Sequence, residues 1–353
     1  MKTLVFRHHL LYVFVIIFFA SSVMVHAQSE KQRSINKSYK VSGSTMINLS
    51  NSFGKMHVET WDKNEVKVDI EIIVRASNDD RAQSLLDKID IHIDDDNPSS
   101  SLSFVTSIGN NKSGRNSSFE INYDVSMPKT NTLDLKNSFG DTYLGDLSGD
   151  VDLNVQYGNL KAGELTGDCD VKLSFGSGFS EIDAITKGDL KVSYSKLGVE
   201  EIGNLDVHSS FSTFETEKAV SMDLIAKYGE VEIEEIDVLE ADVNFSGFEL
   251  GKVNKSLVLD IDYGGSLDIG VRKSVEVLNI KSSFGPVNIN LEPGINASIE
   301  ATMSFCNLRY DEDMIEFSKI IKDNTSSQYQ GKIGTGSGTI IKIISKYGNV
   351  RLD

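Results

Sequence analysis

Val151-Asp-Leu-Asn-Val-Gln-Tyr157-Gly-Asn-Leu-Lys-Ala-Gly-Glu-Leu-Thr-Gly-Asp-Cys169-Asp-Val-Lys-Leu-Ser-Phe175-Gly176 makes the same statement twice. Six, four and two residues before each aromatic stands an apolar residue: Val151, Leu153 and Val155, then Cys169, Val171 and Leu173. Alternation with period two predicts a strand with these side chains, and the aromatic after them, on one inward face. The Gly after the aromatic predicts a corner at which glycine supplies positive φ. Apolar residues resume three and five places on, as at Val231 and Ile233 after Tyr228.

Outward from this stretch the aromatic recurs at Phe139, Tyr157, Phe175, Tyr194, Phe211, Tyr228, Phe245, Tyr263, Phe284 and Phe305, at spacings of 17 to 21 residues. Outlying copies are Phe53-Gly54 and Tyr347-Gly348. Such a period marks stacked repeats, each too small to bury its apolar face alone. No repeat leaves room for a helix between its strands. The expected fold is all-β: a parallel β-helix-like solenoid of ~17–21-residue coils, stacked at one strand spacing each. An antiparallel meander is the rival, because Phe and Tyr alternate strictly from Phe139 to Tyr263, as a two-coil repeat would.

Before the repeats, residues 36–130 read as an N-terminal β-rich capping region with one short helix over 79–88. Asn78 or Asp79 caps the helix, and Ala82, Leu85, Leu86 and Ile89 form its apolar face. Residues 131–310 are the solenoid. Residues 311–353 leave the period, with a weakly amphipathic run at 314–321 and closing strands, and read as the second cap. Residues 1–27 read as a secretory signal: Lys2 and Arg7, an apolar run from Leu10 to Phe19, and Val25-His26-Ala27 before the cut. No Cys lies near that cut. No second apolar segment follows, so no transmembrane segment is expected in the mature chain.

The formal net charge of −17 becomes −19 once Lys2 and Arg7 are removed. That disfavours nucleic acid and anionic membranes as partners. Cys169 takes an inward position and Cys306 a corner position. Seven coils apart, roughly 34 Å at one strand spacing per coil, they are too distant to bridge.

Five residues before the aromatic stands a column of acids: Asp134, Asp152, Asp170, Asp189, Asp206, Asp223 and Glu240. Two places further on come Lys136, Lys172, Lys191 and His208. The column reads as a solvated outer face laced with opposite charges, and a cation- or ligand-binding stripe is the alternative. His57, His92 and His208 lack metal-ligand spacing, and Asp94-Asp95-Asp96-Asn97-Pro98 is explained by a turn. No nucleophile elbow or phosphate loop is present. No catalytic, cofactor-binding or metal residue is assigned, and no enzyme is expected. Tyr143, Phe179, Phe214 and Phe248, just past the corners, read as core.

The layout resembles a bacterial adhesin-domain family of β-strand repeat proteins and is similar to auto-transporter adhesin head domains. The residues that carry the resemblance are Asn51-Ser-Phe-Gly54, Val58-Glu-Thr-Trp61-Asp62, the helix-bearing Ala76 to Lys88, Tyr123-Asp-Val-Ser-Met-Pro128, Leu133-Asp-Leu-Lys-Asn-Ser-Phe-Gly140-Asp141, the repeats, and Ser345-Lys-Tyr-Gly348-Asn-Val-Arg-Leu352. The resemblance implies a β-helix-like fold and an envelope location, whether periplasm, outer-membrane surface or extracellular space. Composition and resemblance together suggest an exported, non-enzymatic binding or scaffold protein whose partner is a protein or glycan of the envelope or a cell surface. A periplasmic sensing or structural module with a protein partner is the first alternative. A carbohydrate-active β-helix enzyme is the second.

Overall fold

A computed structural model describes residues 29–109 and 117–353. The expected secretory signal lies outside the described residues. The chain winds as a parallel β-solenoid. In its middle, each coil is one long bent strand: Phe179–Ser193, Lys196–Ser210, Thr213–Lys227 and Glu230–Asn244. Neighbouring coils pair in parallel and in register, as in Lys196↔Thr213 through Ser210↔Lys227. The antiparallel meander is thereby excluded for the repeats. Antiparallel pairing is confined to the two ends.

The core lies inside the coil and is built from columns rather than layers. Val151, Leu153 and Val155 are buried, as are their partners one coil on, Cys169, Val171 and Leu173. After the corner, Val231 and Ile233 turn inward. A third column closes the coil at its bend: Leu165, Ile185, Ile202, Ala219, Ile236 and Val253. β-branched and Leu side chains dominate because a half-buried pleated surface packs them well.

Both ends are threaded out of sequence order. Met46–Ser52 lies between Ser101–Ile108 and Thr132–Ser138. Met56–Trp61 lies between Ser118–Pro128 and Thr142–Leu144. Glu65–Ala76 and then Ser29–Lys40 extend that end as antiparallel strands. Helix Asp79–Leu86 packs on these two strands through Ala82, Leu85 and Leu86. Its cap is Asn78, whose side chain accepts from the Arg81 N–H at 2.9 Å, an orphan donor of the first turn.

At the other end Ile315–Lys322 and Ser326–Ile333 form an antiparallel hairpin laid on Ala297–Ser304. The weakly amphipathic run is thus a strand. The chain then re-enters the stack. Thr339–Lys346 slots between Val277–Ser283 and Ala297–Ser304, and Val350–Leu352 between Val287–Leu291 and Leu308–Tyr310. The re-entrant coil puts Cys169 and Cys306 eight coils apart, one more than sequence order suggests. Both thiols are free.

Candidate interaction surface: an exposed aromatic ladder

The corner reverses the roles expected from sequence. The aromatic residue itself takes positive φ at all twelve corners, from 50° at Tyr194 to 66° at Phe53. At several corners the glycine after it is required for space. A Cβ on Gly140 would stand 1.9 Å from the Gly54 carbonyl oxygen of the neighbouring coil, and one on Gly158 would stand 2.0 Å from that of Gly140. Where Ser replaces Gly, the hydroxyl is used. Ser195 Oγ donates to the Ser193 carbonyl and accepts from the Gly176 N–H at 2.9 Å.

Left-handed backbone turns the side chain out of the alternation. The rings therefore do not share the inward face with Val and Leu, as the sequence suggested. They stand outside, 39–56% exposed. Each lies flat on its neighbour, with centroids 4.4–5.4 Å apart and planes within 19°. Left-handed backbone costs a non-glycine residue about 1–2 kcal/mol. Aromatic stacking returns about 0.5–1.5 kcal/mol per pair. The two nearly cancel, and the ladder sets the coil register at little net energy. The stripe runs roughly 50 Å at one strand spacing per ring.

In space the ladder reads Phe53, Phe139, Tyr157, Phe175, Tyr194, Phe211, Tyr228, Phe245, Tyr263, Phe284, Tyr347, Phe305. The re-entrant coil places Tyr347 between two phenylalanines. Alternation is therefore unbroken from Phe139 to Phe305, and no phenol lies against another phenol. Among the described residues, none of the hydroxyls of Tyr157, Tyr194, Tyr228, Tyr263 and Tyr347 hydrogen-bonds within the chain. Beside the ladder, from Gly176 to Phe245, runs a shallow trough of about 780 Å³. Ring edges form its wall, and Ser195, Ser212, Thr213 and Gly229 its floor.

The residues past the corners divide. Phe214 and Phe248 are buried, whereas Tyr143 and Phe179 are exposed. Phe179 has small neighbours to lie on, its ring edge passing over Gly198.

The acid column is in register: Asp134, Asp152, Asp170, Asp189, Asp206, Asp223 and Glu240 are successive partners across seven strands. Val258 follows Glu240 and ends it. Lys136 pairs with Asp134 at 3.2 Å and Lys172 with Asp170 at 2.8 Å. The bond to Asp170 raises the Lys172 ammonium's pKa. These pairs are partly solvent-exposed and contribute little individually. The column's far end borders a groove of about 690 Å³ that also takes in Asp242, Asp260 and Ile344.

A second acidic face was missed in the sequence. Glu181, Glu215, Glu232 and Glu249 share one column with Gly198, beside Glu200, Glu217 and Glu234. Glu215, Glu232 and Glu249 lie four residues past their aromatics and Glu200, Glu217 and Glu234 six past theirs, and aligning the residues after the aromatic as well as those before it would have found them. Among the described residues no three His, Cys, Asp or Glu side chains converge to hold a metal ion.

Fold and surface define an elongated all-β solenoid with aromatic corners. No family model matches the chain, and no curated protein does. Solved structures similar to it bear adhesion names. One is a putative cell adhesion protein from Clostridium sporogenes, 12% identical, with a TM-score of 0.21 over 91% of this chain and 99% of that one. Another is a putative adhesin from Parabacteroides distasonis, 10% identical, with a TM-score of 0.35 over 91% and 97%. A third is a putative adhesin from Parabacteroides merdae, 10% identical, with a TM-score of 0.33 over 92% and 96%. Among the described residues no helix is long and apolar enough to cross a membrane.

Proposed function

We propose that this is an exported, non-enzymatic binding and scaffold protein of the bacterial cell envelope, adhesin-like in use, whose contact surface is the aromatic ladder. The observation that carries this reading is the exposure of twelve large rings in one continuous stripe. Contiguous apolar surface of that extent on a single chain marks an interaction site. The ring faces are occupied by neighbouring rings, so the stripe offers edges and hydroxyls to an extended partner lying along the rod. Export rests on the charged start, apolar run and small-x-small cut of residues 1–27. The acid columns serve solubility of a long, exposed body.

The test has two arms. Protease shaving of intact cells, with a periplasmic control, should remove the protein while the control survives. Purified protein should bind envelope preparations saturably. Protection until lysis would move the protein to the periplasm, and binding that never saturates would remove the binding role.

One observation favours a second reading, a periplasmic module with a protein partner. Among the described residues Leu308–Tyr310 pairs on one side only, with Val350–Leu352, and the hairpin strand Ile315–Lys322 leaves an edge where Ile320 and Ile321 are exposed. Such edges accept an added strand. Ile320→Lys should then abolish capture of that partner and leave the ladder's binding unchanged.

A further inference from the structure

We infer that the ladder's partner is a proline-rich polypeptide segment in the polyproline II conformation, with basic residues at intervals. This rests on the ladder being a contact surface and adds the chemistry of what it contacts.

Three features lead there. The first is spacing. Tyr157 and Tyr194 are separated by one Phe, with steps of 4.9 and 5.1 Å. Phenol hydroxyls therefore recur at roughly 10 Å, two strand spacings. A polyproline II helix advances about 9.3 Å per three-residue turn. An extended β-strand repeats its side chains at about 6.8 Å and is out of step by the second Tyr.

The second feature is hydrogen-bond valence. Among the described residues the five phenol O–H groups have no partner. A polyproline II segment has no internal hydrogen bonds and presents its carbonyls outward as acceptors. An α-helix has bonded its carbonyls internally and gives these hydroxyls little to donate to. Aromatic-lined grooves with polar hydroxyls are a general solution for proline-rich ligands.

The third feature is charge. The strand residues immediately before the rings are uncharged from Ser52 through Ser138, Gln156, Ser174 and Ser193 to Ser210, and charged before Tyr228, Tyr263 and Tyr347, at Lys227, Asp262 and Lys346. Farther out, one side carries the Lys136, Lys172, Lys191 and His208 positions and then the Asp134-to-Glu240 column, and the other side carries the Glu181-to-Glu249 column. Apolar prolines fit the stretch from Phe53 to Phe211, and lysine or arginine side chains reach the acidic Glu181-to-Glu249 border. An anionic polymer would be repelled by the Glu181-to-Glu249 side.

The experiment measures binding to the full mature chain by fluorescence anisotropy. The first probe is a labelled peptide of about fifteen residues, five polyproline II turns of Lys-Pro-Pro. The second is Lys-Gly-Gly of equal length and charge. The proline peptide should bind at least about tenfold tighter, because its conformation is pre-organised. The double variant Tyr194→Phe, Tyr228→Phe keeps the stack and should weaken the proline peptide severalfold with unchanged thermal stability. Equal affinity for the two peptides, or indifference to loss of the hydroxyls, would overturn the proposal. A neutral β-linked oligosaccharide is the third probe. If it binds and the proline peptide does not, the proline-rich partner is wrong and the ladder remains a contact surface. If none of the three binds, the ladder reading loses its support as well.

Discussion

Replacing Phe211 tests the corner directly. Its ring is stacked between Tyr194 at 4.9 Å and Tyr228 at 5.0 Å, and its φ is 53°. Phe211→Ala removes two stacked faces, a loss of about 1–3 kcal/mol at ~0.5–1.5 kcal/mol per pair. Alanine also keeps the left-handed penalty of about 1–2 kcal/mol. Phe211→Gly loses the same stacking and is free of that penalty, but gives up about 0.5–1 kcal/mol in chain entropy. Glycine should therefore be the more stable of the two by about 0.5–1 kcal/mol, taking the difference of those terms. At an ordinary strand position the order is opposite. Phe179, exposed and without positive φ, supplies that control within the same protein: Phe179→Ala should be more stable than Phe179→Gly. Urea unfolding followed by far-UV circular dichroism, compared at equal m-values, measures all four variants. Alanine equal to or better than glycine at 211 would refute the account of the corner.

Other consequences can be checked on the same preparation. Gly188 combines φ of +132° with a Cβ position 1.9 Å from the Cys169 carbonyl oxygen, so Gly188→Ala should lose about 2–5 kcal/mol in urea unfolding. Gly43→Ala, with open space around it, should stay within about 0.5 kcal/mol of the parent. Burial pushes the Cys169 thiol up to about 12, so a thiol reagent at pH 8 should label Cys306 in the folded protein and both cysteines in urea. Burial also raises Tyr123, to about 12. Both groups hold their protons in the folded state after the unfolded chain has released them. Stability should therefore fall as pH rises from about 9 toward 12, and Cys169→Val should flatten part of that fall.

The solenoid was legible because a repeat of 17 to 21 residues with period-two apolar positions has few other packings. The acid column was legible for the same reason: a constant offset from the corner becomes a straight line once coils stack in register. Ring orientation was not legible. Counting by twos through Val155 to Tyr157 assumes that the strand continues, and one left-handed residue ends that alternation without altering the composition. Coil order was hidden because sequence neighbours were taken as spatial neighbours. The clue lay in Phe284 and Phe305, two phenylalanines in succession where a tyrosine was due, with Tyr347 the missing member. Phe214 and Phe248, three places past their corners, share the inward column of Leu197 and Val231, whereas Tyr143 and Phe179, four places past theirs, point outward. That difference follows from the same period-two alternation, so it was legible in the sequence although all four read as core.

The re-entrant coil also bears on how the protein is made. Residues 339–352 fill a slot between two coils that precede them in synthesis. That slot stays open while the chain emerges from a ribosome or a translocation pore. Folding from the amino-terminal side can advance coil by coil as far as Leu291. The hairpin-bearing end can join the stack only when the last fourteen or so residues arrive, since non-local pairing waits on chain length. The closing segment works as a keystone. Losing it would leave the rod's length almost unchanged and detach its end.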